Sequence, residues 1–235
     1  MSQFVPWCDK IERQRKDMEK EKLLLLGTGG HAHSVVDSIE QSGIYQIVGF
    51  LDLPERVGAL YQGYKVLGTD DLLDEFFLKG IRSAFVTVGY MGQGNVRNEL
   101  YHRLTRIGYQ LPVITDKTAA IAKNVKIGRG SFVGKNAVVN ACAQIGDMCI
   151  INSAAVVEHD CRIGDFSHIA VGAVVCGGSV LGRQTFIGAN ATLIQNVSVG
   201  DNVVIGAGTL ITKDIADNLI KYAAVEKRRD ILKKG

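Results

Sequence analysis

Glu158-His159-Asp160 is the stretch of this sequence best suited to moving a proton. An imidazole titrates near neutrality unaided, and a carboxylate beside it can fix the ring tautomer and raise its basicity. Residues 18 positions to either side carry little or no side chain: Ala141 and Gly177 flank His159, and Cys142 and Gly178 flank Asp160. If the chain winds with an 18-residue turn, the ring gains open space and an unobstructed backbone amide at Gly177. Taken alone, the same three residues fit a polar solvated face equally well. A second histidine, His168, follows in Phe166-Ser167-His168.

The winding is visible in the sequence. From Ile121 to Ile211 an aliphatic residue recurs at every sixth position, sixteen times in succession. The residue two before each anchor is small, as at Ala137, Ala143, Cys149, Ala155, Cys161 and Ser167. Glycine often follows the anchor, as at Gly128, Gly134, Gly146, Gly164, Gly182 and Gly188. Six is neither the helical period nor strand alternation; it is the period of hexapeptide β-helices. On this reading anchors point inward, the small residues let corners close, and glycine supplies the backbone freedom that corners need.

Ahead of the repeat, strands and helices alternate, which predicts a small parallel sheet. Strands are expected at 22–26, 47–51 and 84–88, with helices at 31–41, 70–78 and 95–107. The loop Gly27-Thr28-Gly29-Gly30-His31 falls between the first strand and helix, where backbone amides face a ligand. Gly27-x-Gly29-x-x-Ala32, followed by Asp52, also fits a dinucleotide fingerprint. About 90 residues is half of a two-halved Rossmann domain, which favours a nucleotide or nucleotide sugar over NAD. The expected divisions are an N-terminal extension (1–20), a Rossmann-like domain (21–114), a β-helix (115–215) and a C-terminal tail (216–235).

Composition narrows the classes. The 235 residues carry a net charge of +3 with basic and acidic residues interspersed, which argues against nucleic acid as partner. The longest aliphatic run, Leu23 to Leu26, is far too short to span a membrane. Residues 9–22 are charged where a signal peptide would be apolar. Five cysteines without a CxxC pair suggest reduced thiols and a cytoplasmic protein without a structural metal. A γ-class carbonic anhydrase shares the prism but needs three zinc-binding histidines, and the repeat has two.

The segment Asn152-x5-Glu158-His159-Asp160-Cys161-x-Ile163-Gly164-Asp165-Phe166-Ser167-His168, preceded by a short α/β domain, resembles the hexapeptide-repeat nucleotide-sugar acetyltransferases of bacillosamine and perosamine synthesis. It is similar also to the sialic acid O-acetyltransferases. The resemblance covers residues 22 to about 215. It implies a left-handed parallel β-helix, a homotrimer with active sites between subunits, acetyl-CoA as cosubstrate and a nucleotide-linked amino sugar as acceptor, N-acetylated at its 4-amino group for surface glycan synthesis. By the same resemblance His159 is the general base, Asp160 increases its basicity, and His168, Gly177, Ala189 and Ala207 contact acetyl-CoA; Glu158, the other carboxylate beside the ring, is a further catalytic candidate. Asn152 lies near the acceptor sugar, and Gly29, Gly30, His31, Asp52 and Gly89 hold the sugar nucleotide. Ala224-Val225-Glu226-Lys227-Arg228 stands where the family usually has Gly-Val-Pro-Ala-Lys, and Gly92-Gln93-Gly94 suggests a looser loop. A non-catalytic trimeric scaffold that binds sugar nucleotides would share the architecture without needing Glu158-His159-Asp160.

Overall fold

The computed structural model describes residues 20–92 and 94–222. The atypical C-terminal stretch at 224–228 and nearly all of the N-terminal extension lie outside them, as does Gln93. The described chain forms two compact units. One comprises residues up to Val88 together with His102–Leu111; the other comprises Gly89–Tyr101 and everything from Pro112 onward.

The first unit is a five-stranded sheet: β1 (Glu21–Leu26), β2 (Tyr45–Leu51), β3 (Leu60–Tyr61), β4 (Tyr64–Gly68) and β5 (Ser83–Val86), in the order β3-β4-β2-β1-β5. Four consecutive leucines, Leu23 to Leu26, are buried in β1, an interior strand between β2 and β5, as expected where both faces of a parallel strand are covered. Helix α1 (Gly30–Ser42) ends at Gly43, whose φ of 66° and bond to Ile39 O close the last turn. Helix α2 (Leu73–Leu78) follows a 3-10 turn at Asp70–Leu72. The sheet is parallel except at one edge, where β3 pairs antiparallel with β4. The sequence pattern hid this hairpin because its first strand is only two residues long. Its turn is nonetheless encoded: Gln62 and Gly63 have φ of 48° and 81°, the two positive values of a type I′ turn.

The second unit is a parallel β-helix with three sheets of six, five and seven short strands. Strands pair at an offset of 18 residues, as in Ile121↔Val139↔Val157↔Val175↔Leu193↔Ile211. The fold class is thus a small Rossmann-like domain followed by a left-handed parallel β-helix. Anchors and small residues fill the interior: Val133, Ala137, Val139, Ala143, Cys149 and Ile151 have no accessible surface. Each buried anchor contributes roughly 1.5–3 kcal/mol relative to exposure. The final coil is shorter, with Ile220 pairing to Val204 at an offset of 16. Helix α3 (Val96–Ile107) contributes its first half to this unit.

The corner geometry corrects one reading of the sequence. The glycines after the anchors do not have positive φ; the left-handed residue lies three after each anchor from Ile127 to Ile205, every sixth position from Gly130 to Gly208, with φ between 51° and 72°. Asn136, Cys142, Met148, Ala154, Asp160 and Phe166 occupy it in turn. The glycines after the anchors answer instead to the neighbouring coil. A Cβ on Gly164 would stand 2.5 Å from Gly182 C and 2.6 Å from its oxygen. Gly164→Ala is therefore expected to destabilise the prism by about 2 kcal/mol through overpacking, seen as a lower thermal midpoint; an unchanged midpoint would refute the crowding argument.

Candidate active site

The three edges of the prism differ. On the edge after Val139, Val157, Val175 and Leu193, backbone bonds stack Ala141, His159, Gly177 and Gln195: Asp160 N–H donates to Ala141 O (3.0 Å), Gly178 N–H to His159 O (2.9 Å) and Asn196 N–H to Gly177 O (3.0 Å). His159 projects outward with 60% of its side chain exposed, and its Nδ1 lies 2.9 Å from Asp160 Oδ2. A carboxylate only accepts, so this contact places the proton on Nδ1 and leaves the Nε2 lone pair outward. That nitrogen rests against bare backbone: a Cβ on Gly177 would be 2.6 Å from Nε2. An open groove of about 570 Å³ runs along this edge, lined by Glu158, His159, Asp160, Cys176, Gly177, Gly178, Gln195 and Asn196.

Glu158 is held from below. Its Oε2 accepts from Asn140 Nδ2 at 2.9 Å and from the His159 N–H at 3.2 Å. Asp160 sits at the left-handed corner (φ 59°), so the backbone itself sets its carboxylate beside the ring. Together these residues offer a ring nitrogen poised to accept a proton, beside a stretch of backbone without side chains.

His168, Asn152, Ala189 and Ala207 belong to a different edge and face. His168 is the outward residue of its strand yet only 8% exposed, because Tyr90 and the first turn of α3 pack on that face. Burial, with a smaller contribution from Arg97, lowers its pKa to about 4, against an opposing bond to the Tyr90 carbonyl. Its Nε2 is 3.1 Å from Asn152 Nδ2. The structure thus joins Asn152 to His168 directly. Ala189 and Ala207 stack one above the other, linked by Gly208 N–H to Ala189 O at 2.8 Å.

In the sheet domain, Asp52 closes the glycine loop. Its Oδ2 accepts from the Thr28 backbone N–H (2.7 Å) and hydroxyl, while Oδ1 accepts from Leu53 N–H (2.8 Å). Arg56 adds a second clasp, donating to Thr28 O at 3.0 Å and to the Thr28 hydroxyl at 2.6 Å. Tyr61 donates to Gly29 O at 2.8 Å. Neither Arg56 nor Tyr61 was singled out from the sequence, since the hairpin that carries Tyr61 was unseen. Gly29 and Gly30 have no positive φ, and a Cβ on either would meet nothing within 4 Å. The space before the helix N-terminus is open at both, and no described residue crowds a side chain there. His31 is half-buried at the start of α1, and Gly89 is exposed where the second unit begins.

Residues 22–104 match the PglD N-terminal domain family, residues 178–213 the bacterial transferase hexapeptide (six repeats), and residues 124–153 the hexapeptide repeat of succinyl-transferase. The acetyltransferase domain of PglB from Neisseria gonorrhoeae, solved with acetyl coenzyme A, is 32% identical; the match covers 89% of this chain and 99% of that one, with a TM-score of 0.79. Perosamine N-acetyltransferase from Caulobacter crescentus, solved as a histidine-to-asparagine mutant with CoA and GDP-perosamine, is 29% identical, covering 88% of this chain and 95% of that one at a TM-score of 0.81. An uncharacterized protein of Acanthamoeba polyphaga mimivirus is 31% identical over 123 residues, which are 52% of this chain but 23% of the viral protein. Repeat, N-terminal domain and full-length likeness agree, and the chain belongs to the hexapeptide-repeat nucleotide-sugar acetyltransferases.

Proposed function

We propose that this protein transfers the acetyl group of acetyl-CoA to an amine of a nucleotide-linked amino sugar. The observation that carries the reading is the His159 ring, its Nδ1–H engaged by Asp160 and its Nε2 facing the bare backbone of Gly177 on a groove edge. In the proposed step the substrate amine attacks the thioester carbonyl while Nε2 takes its proton; a C–N bond forms, the C–S bond breaks, and the imidazolium returns the proton to the departing CoA thiolate. No hydrogen bond among the described residues engages the Gly177 N–H, so it is available to the developing oxyanion. The 4-amino group of a UDP- or GDP-linked deoxy sugar is the acceptor suggested by the relatives, which include a perosamine acetyltransferase with GDP-perosamine bound.

The proposed residues lie on two edges of one prism, and the face between those edges is the apolar one. Its outward residues include Val138, Val156, Val174 and Leu210, whereas the other exposed face presents Lys126, Gln144 and Arg162. Three copies arranged with the apolar face toward a common axis bring the His159 edge of one beside the Asn152 and Ala189 edge of the next. This geometry supports a homotrimer whose sites are completed between subunits. CoA release, followed by thiol detection across a panel of UDP- and GDP-linked 4-amino sugars and free sialic acid, tests the function. Release with an amino-sugar nucleotide is expected; release with sialic acid alone would establish the O-acetyltransferase reading, and none with any acceptor would favour a binding scaffold.

A further inference from the structure

Tyr90, His168 and Asn152 form a chain of hydrogen bonds whose direction is fixed by its buried end. A backbone carbonyl only accepts, so the ring nitrogen facing Tyr90 O, Nδ1, carries the proton. The other nitrogen of a neutral ring is then an acceptor, and it faces Asn152 Nδ2 at 3.1 Å. Asn152 Oδ1 is occupied by the Ser153 N–H at 2.8 Å. With one Oδ1 lone pair taken by Ser153 and one N–H by His168, the donor that the carboxamide still offers is its second N–H, for which the described residues provide no partner. The buried end is itself anchored: the Tyr90 hydroxyl donates to Gln184 O (2.7 Å), the Phe186 ring packs edge-on against the imidazole (5.2 Å), and a Cβ on Gly92 would be 2.4 Å from Val204 Cγ2.

We propose that the Tyr90 carbonyl, acting through His168, fixes the Asn152 carboxamide with its second N–H outward, so that this position of the substrate site presents a donor to an acceptor oxygen. His168 is then a positioning residue that stays neutral and does not transfer protons. The matching group on the substrate is a hydroxyl, carbonyl or phosphate oxygen. That Asn152 faces substrate, and which group it meets there, rest on the proposed function; the bond directions do not.

Nitrogen-15 spectra of histidine-labelled protein read the tautomer without ligand. His168 is expected to be neutral with Nδ1 protonated at neutral and mildly acidic pH. A protonated Nε2, or an imidazolium at neutral pH, would overturn the proposal. Asn152→Asp places an acceptor against Nε2, so His168 is expected to gain a second proton near neutrality. That variant is also expected to fall at least about tenfold below Asn152→Ala in kcat/KM, since a required donor becomes an acceptor. Asn152→Asp matching or exceeding Asn152→Ala would count against the donor role. Should no amino-sugar nucleotide be acetylated by the unaltered protein, the functional reading fails while the tautomer result still decides the bond directions.

Discussion

His159→Ala is expected to lower turnover by at least about a hundredfold, the usual contribution of a positioned general base. The side chain is 60% exposed and its ring bonds only to Asp160 among the described residues, so its removal opens no interior cavity. The thermal midpoint should therefore stay put while kcat falls. The measurement is steady-state CoA release together with a melting curve. Rates within a few-fold of the unaltered protein would remove His159 from the mechanism, and a collapsed midpoint would mean that the loss is structural.

Gly177→Ala should be nearly as damaging, for a different reason. The added methyl would sit 2.6 Å from His159 Nε2 and 2.7 Å from Cε1, closer than real contacts allow. The φ at Gly177 is not in the left-handed region, so the backbone accepts alanine. The ring must swing away from its groove, and a displacement on the order of 1 Å can cost about a hundredfold in rate. We expect kcat/KM to fall by that order with the fold intact. Full activity in this variant would show that the imidazole works from another position, and would sink the claim that bare backbone beside it matters.

These two residues were legible because the prism converts sequence distance into space: 18 positions along the chain is one coil up, so Gly177 above His159 followed from counting. The anchors were legible for the same reason. What the sequence hid was whatever depends on contacts outside the repeat. His168 reads as a polar outward residue of its strand, yet Tyr90 and Arg97 arrive from residues 89–101 to bury it. Nothing local in Gly89-Tyr90-Met91 announces that partnership, and the pattern assigned this stretch to the N-terminal domain. Arg56 was missed because a lone arginine after a proline resembles any solvated turn; its clasp on Thr28 exists only once the loop and the turn are folded. The glycines after the anchors were recognised as necessary, but for the wrong cause. A one-dimensional pattern cannot separate a demand of φ from a shortage of room.

The left-handed corners have a wider consequence. Each non-glycine residue there accepts a cost of about 1–2 kcal/mol, and the helix repeats the geometry at every sixth residue whether or not chemistry occurs nearby. Asp160 meets its histidine through a backbone conformation that Asn136, Met148 and Asn202 share. The scaffold is thus a rack of interchangeable addresses, and reactivity is written onto one of them by the choice of two or three side chains.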